Sequence, residues 1–438
     1  MPGRTAVAAF FIAAGCLPLL AQTDSTANER FTVHAQATIV NQYKPGFSAK
    51  YSGPNSLVPQ EEDQTSVTST LYLGARLWRG ASLYLNPELA GGVGLSQASG
   101  VGANTNGEIF RVGDPAPQLY LARLFFRQVV ALGGDSTWQP GDQNQLAGRM
   151  PANYLAFTLG KVGMNDYFDD NRFSHDPRTQ FLDWALMDYG AWDYPANVRG
   201  YTPSFIAEWI TPRHELRCAL SMVATTANGN IMNTDIANAN SSTLEYTRRH
   251  KLRGLDGAIR ILGFYTSTDM GNYRESLALS PTAPDITATR MYGHTKYGFG
   301  ISGEQYITPN LGCFFRASWN DGNNETWAFT EIDHNLSGGI SLAGTRWKRP
   351  KDTWGAAYII SGLSKPHRDY LQAGGLGFVL GDGNLDYGHE QVLGTYYSAA
   401  IAEHIFLSGY YQFLLNPGYN KDRQGPVNVF SVRLHIEV

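Results

Sequence analysis

The stretch VNVFSVRLHIEV (427–438) alternates residue by residue. Phe430, Val432, Leu434, Ile436 and Val438 share one face, and Ser431, Arg433, His435 and Glu437 share the other. A period of two is the mark of a β-strand with one apolar and one polar face. The same alternation recurs along the chain, and helical periodicity is nearly absent. FTVHAQATIVNQY (31–43) sets Phe31, Val33, Ala35, Ala37 and Ile39 against Thr32, His34, Gln36 and Thr38. Residues 65–78 set Val67, Leu71, Leu73, Ala75 and Leu77 against Thr68, Thr70, Tyr72 and Arg76. Further strands are predicted at 82–89, 118–132 and 154–161. Paired strands follow at 201–210 with 214–224, 242–252 with 256–266, 294–306 with 310–320, 333–343 with 353–362, and 391–401 with 404–413.

That makes about sixteen strands, near the length of about 9–11 residues that a tilted strand needs to cross a bilayer. Connections after odd strands are long and most of those after even strands are short, the asymmetry of an outer-membrane barrel. An even count brings the first and last strands to one rim, where they pair and leave no edge for lipid to meet. The predicted fold is all-β: a transmembrane antiparallel β-barrel with short periplasmic turns and long extracellular loops, in the bacterial outer membrane. The alternative, a soluble propeller, would repeat every 40–50 residues or so, and no such repeat is present. Residues 133–153 interrupt the pattern as a long connection on the short-turn side.

Composition agrees. Of 438 residues, 43% are hydrophobic and 16% charged, and the mean hydropathy is −0.27. A barrel wall is compatible with that value because only alternate residues face lipid. A net charge of −4 argues against nucleic acid as a partner. Residues 1–21 read as a secretory leader, with Arg4 as its basic residue and cleavage after Ala21; Cys16 would leave with it unless it serves as a lipidation site. A short segment, 22–30, precedes the barrel at 31–438. Past residue 21 no apolar run reaches the 18 or so residues of a membrane helix. Cys218 and Cys313 lie in alternating strands as outward thiols, one disulfide being the alternative.

Function is expected in GMNDYFDDNRFSHDPRTQFLDWALMDYGAWDYPANVRG (163–200). A connection beyond about 12–15 residues in a compact domain is usually functional or disordered, and this one is too aromatic for disorder. By position, as the third long loop, it resembles the loop that folds inward in sixteen-stranded porins, and that resemblance implies that it enters the lumen and narrows it; a packed surface loop is the alternative. Trp184 and Trp192 are candidates for stacking on a sugar ring or for anchoring the loop. Asp169, Asp170, Arg172, Arg178 and Arg199 offer charge-assisted hydrogen bonds. From the wall, strand phase points Arg76, Arg123, Arg127, Arg217, Arg316 and Arg433 inward, with Glu88, Glu208 and Glu304 among them. They serve either as solute contacts or as ion pairs stiffening the wall. The run Asp166, Asp169, Asp170 also raises a calcium site as an alternative, though no metal is expected. Hydrolase, metalloprotease and phosphate-loop motifs are missing.

The stretches FSAKYSGPNSL (47–57), LGARLWRGASLYLNPEL (73–89), LARLFFRQ (121–128), DPRTQFLDWALMDYGAWDYPANVRGYT (176–202), RASWNDGNNETWAFTEID (316–333), KPHRDYLQAGGLGFVLGDG (365–383) and PVNVFSVRLHIEV (426–438) resemble the OprB-type carbohydrate-selective porins. The resemblance implies a closed barrel for passive diffusion of small carbohydrates, with no reaction and no cofactor. A general or anion-preferring porin is the alternative within transport; a barrel enzyme or adhesin is the alternative outside it. The chain is expected in the lipid bilayer as a monomer or homotrimer.

Overall fold

The structure, a computed structural model, describes residues 28–109 and 116–438. The expected leader and Cys16 lie outside the described residues. Sixteen strands form one closed antiparallel barrel: β1 (Phe31–Lys44), β2 (Glu62–Trp78), β3 (Ala81–Gly92), β4 (Gln118–Gln139), β5 (Gly148–Val162), β6 (Thr202–Ile210), β7 (His214–Met222), β8 (Asn240–Leu252), β9 (Leu255–Thr268), β10 (His294–Thr308), β11 (Leu311–Asn320), β12 (His334–Ala343), β13 (Thr353–Gly362), β14 (Glu390–Ala402), β15 (Ile405–Leu415) and β16 (Val427–Glu437). Each strand pairs with its sequence neighbours. The terminal strands close the ring, with Ile39 opposite Leu434 and Gln42 opposite Ser431.

The barrel is apolar outside and polar inside. Leu119, Leu159, Phe299 and Val432 are among the exposed large side chains, whereas Thr70, Thr158, Ser302 and Gln412 are fully buried in the lumen. Against lipid, that exposure is the low-energy arrangement. Cys218 and Cys313 are free, on β7 and β11, in the phase of outward residues such as Leu216 and Phe315.

Two features depart from the sequence reading. Residues 133–153 are not a loop: β4 and β5 continue as a hairpin to Gln139 and from Gly148, joined by 140–147. Gly133-Gly134, Pro140 and Pro151 mask the alternation there. Two short helices, α1 (Tyr273–Leu279) and α2 (Lys365–Gln372), sit in the long loops. They are too short to show a helical period. Their caps, Asn272 and Ser364, accept backbone N–H bonds from Glu275 and His367.

The largest apolar cluster lies inside the barrel. It consists mostly of the 163–200 loop packed on inward side chains of the wall: Phe181 against Phe314 and Tyr396, and Phe173 against Tyr306.

Candidate functional site

The loop from Gly163 to Gly200 enters the lumen and leans on β8–β15, which leaves space on the β2–β7 side. Its anchor is Arg316 on β11, whose Nε donates to Asp169 at 2.5 Å and whose Nη1 donates to Ser174 Oγ at 3.1 Å and the Leu186 carbonyl at 3.2 Å. Asp169 has a left-handed backbone (φ 52), a conformation aspartate tolerates better than most residues. Glycines on the wall make room for the rings. A Cβ on Gly312 would stand 2.0 Å from Phe173 Cζ, and one on Gly300 2.4 Å from Tyr189 Cδ1. Acid and guanidinium in apolar surroundings are costly unless paired, and the pairing here decides which side of the barrel is filled.

The space left is a cavity of about 1300 Å³. Its wall carries Tyr72 and Arg76 (β2), Glu88 (β3), Tyr120, Arg123 and Arg127 (β4), Glu208 (β6) and Arg217 (β7). The loop contributes Asp166, Asp170, Arg178, Trp184, Tyr194 and Arg199. At its centre Arg178 donates to Glu108 at 2.9 Å, Glu88 at 3.3 Å and the Tyr72 hydroxyl at 3.3 Å. Glu88 also accepts from Tyr201 at 3.1 Å and from Tyr120. Arg123 grips Asp166 through Nε and Nη2, each at 2.6 Å. Arg127 and Arg217 share Glu208. Burial opposes the charge on Arg178, but Glu108 and Glu88 hold its pKa well above the ordinary arginine range.

Not every expected pore residue faces this cavity. Arg316 and Asp169 are fully buried as a pair beneath the loop. Trp192 is 1% exposed, edge-on to Phe168. Arg172 turns away from the cavity, toward Glu304 and the Tyr306 ring. These four are corrected from cavity contacts to loop anchors. Arg433 is likewise spent on the carbonyls of Pro177 and Gln180, at 2.7 Å each. Trp184 does reach the cavity; it stacks on Phe329 and donates through Nε1 to the Asn106 carbonyl at 3.0 Å. Arg199 covers the Tyr120 ring at 4.0 Å and donates to Gln118 at 2.8 Å. Asp170 lies 3.6 Å from Arg249. The acidic run is thus met by arginines: Asp166 by Arg123, Asp169 by Arg316 and Asp170 by Arg249.

Sequence reading missed Glu108, which arrives from the second long loop. That loop also turns inward, its Thr105 carbonyl accepting from Gln42 at 3.2 Å and Gln412 at 3.0 Å. Tyr72 was legible by strand phase; Tyr120 and Tyr201 had no sequence signal beyond their type.

Comparison with known structures gives the same architecture. The chain is similar to Pseudomonas putida OprB in its high-pH structure, with 14% identity, a TM-score of 0.69, and 93% of this chain and 94% of that one covered. The low-pH structure of the same protein aligns with 11% identity and a TM-score of 0.51 over 93% of each chain. Among curated proteins none matches by sequence. The carbohydrate-selective porin family, OprB, matches residues 55–437. This chain, an outer-membrane β-barrel channel, therefore belongs to the OprB family of carbohydrate-selective porins.

Proposed function

We propose that small neutral carbohydrates cross the barrel passively through the cavity beside the inward loop, without any chemical step, and that Arg178, Glu88, Arg123, Arg127, Asp170, Arg199 and Trp184 are their contacts, with Arg76 at the periplasmic end. The observation behind this reading is the cluster of Arg178, Glu88 and Glu108 with the hydroxyls of Tyr72, Tyr120 and Tyr201. Both carboxylates are held by the one guanidinium, so a neutral solute meets hydrogen-bond donors and acceptors that are already paired with one another. Trp184, Tyr194 and Phe329 line the same cavity and offer flat faces to a sugar ring. Each contact is weak and replaceable, which conduction requires. Every chain encloses its own cavity, so a monomer suffices for conduction and a homotrimer would set three channels side by side. Residues 1–21 would direct export and be removed.

The second reading, an anion-preferring general porin, is favoured by one observation: arginines outnumber carboxylates in the cavity lining. Liposome swelling with mono- and oligosaccharides, together with planar-bilayer ion selectivity, separates the two. The carbohydrate reading expects swelling that slows with sugar size, and sugar-induced block of the ion current. An anion-selective current that no sugar alters would decide for the second reading. Deleting Asp169–Asp193 should raise conductance and weaken the block in a barrel that still folds.

A further inference from the structure

β4 has 22 residues, against 9 in β6 and in β7. A bilayer crossing uses about 9–11. The excess lies at the periplasmic end. There the β4–β5 ladder shifts register between Ala131 and Gly133 and again between Gly133 and Ser136. Gly133 (φ 101) and Gly134 (φ 87) occupy backbone that other residues rarely adopt. Bulges bend the strand that contains them, and this bend returns the hairpin tip to the lumen. Asn86 on β3 donates to Asn144 at 2.9 Å, and Gln143 donates to Gln36 on β1 at 3.0 Å.

The tip is also latched from below. Glu29 N donates to the Ala147 carbonyl at 2.9 Å, and Ala147 N donates to the Glu29 carboxylate at 2.7 Å. Arg76 ties both together, donating to the Glu29 carbonyl at 2.8 Å and to the Ala147 carbonyl at 3.1 Å. Asn28 accepts from Arg149 N at 3.0 Å. Gln143, Asn144 and Gln36 line the cavity. Asn86 is two residues from Glu88 along β3, about 7 Å at the usual strand rise. Asn86 is fully buried, and among the described residues its Oδ1 has no hydrogen-bond partner.

We infer that the β4–β5 hairpin is a second filter, on the periplasmic side of the charged cluster around Arg178, in which the amides of Gln36, Gln143 and Asn144 receive the hydroxyls of a neutral polyol while the buried Asn86 holds Asn144 from behind. An amide both donates and accepts, as a hydroxyl does, and bears no net charge to hold an ion. The hairpin therefore narrows the path for every solute and grades sugars by length. The ligand class rests on the carbohydrate reading; the narrowing does not.

Two variants test this. In one, Gly133–Ala152 is replaced by Asn-Gly, a two-residue hairpin turn. In the other, Gln143→Ala and Asn144→Ala are combined and the hairpin keeps its length. KCl conductance in planar bilayers reads the narrowing, and the ratio of maltotriose to glucose entry into liposomes reads the sugar filter. The trimmed barrel, checked for folding by heat-modifiable gel mobility, should conduct at least twofold more than the parent and show a higher ratio. The double variant should raise the ratio by a similar factor, with conductance changed far less. Parental conductance in a folded trimmed barrel overturns the narrowing. A parental ratio in the double variant overturns the amide filter, and it decides the matter if the trimmed chain does not fold. Failure of both sugars to enter through the parent refutes the carbohydrate reading and the amide filter together, while the conductance arm still judges the narrowing.

Discussion

Arg316 and Asp169 are joined at 2.5 Å with both side chains fully shielded from solvent. The pair ties β11 to the inward loop, and through it the open side of the lumen is chosen. Removing one member of a buried pair leaves the other charge uncompensated, at a cost of about 3–5 kcal/mol. Arg316→Met should therefore destabilise the loop by that order, seen as a lower urea midpoint in detergent and noisier single-channel current. Arg316→Met with Asp169→Leu should recover much of the loss. Parental stability and noise in the single variant would mean that the pair does not hold the loop.

Gly312 has no room for a side chain, because Phe173 occupies the place a Cβ would take. Overpacking of this kind typically costs about 1–3 kcal/mol. Gly312→Leu should drive Phe173 and its neighbours toward the cavity and lower the conductance, with the barrel intact. The matched outward change, Cys313→Leu, should leave conductance alone. Equal effects of the two would contradict the packing described.

Asp188 in the loop is fully buried, and among the described residues neither carboxylate oxygen has a hydrogen-bond partner. Burial pushes its pKa up to about 7, against a pull downward from His175. Burial lowers the pKa of His175, but Asp188, Asp170 and Asp169 outweigh it and the net shift is upward. A raised pKa means that the docked state binds a proton the undocked state has released. The stability Asp188 contributes is present below about pH 4, the unperturbed aspartate value, and is lost as pH rises through 7. The histidine contribution falls in the same direction above about pH 6.5. Hydrogen exchange across 163–200, corrected for intrinsic rates, should be faster at pH 8 than at pH 5. Asp188→Asn should flatten most of that difference, and a parent with equal protection at both pH values would refute the assignment.

Val432 faces lipid at the middle of β16, and Ser82 faces the cavity from β3. Val432→Arg should block assembly, since a basic residue near the midplane costs about 2–4 kcal/mol. Ser82→Arg should assemble normally. Ser431 is a poor control although it also faces inward: it accepts from Gln42 at 3.1 Å where the second loop has already filled the lumen. Equal assembly of the Val432 and Ser82 variants, read by outer-membrane fractionation, would reverse the inside–outside assignment.

The barrel was legible because its cause is local. Alternation such as Phe430–Ser431–Val432–Arg433 states which side chains meet lipid, and the spacing of turns states how many strands there are. The inward loop was legible from its length, its aromatics and its place as the third long connection. The roles inside it were not. Arg316 and Arg123 look alike in sequence, both inward-facing arginines on strands. One is sealed under the loop with Asp169 and the other borders the cavity with Asp166. Glu108 joins the cluster around Arg178 from another loop, and the β4–β5 hairpin bends back at two glycines whose φ no pattern of hydropathy reveals. Period and phase follow from neighbours along the chain. Which wall the loop leans on follows from contacts such as that of Arg316 with Asp169, 147 residues apart, and exists only once the barrel has closed.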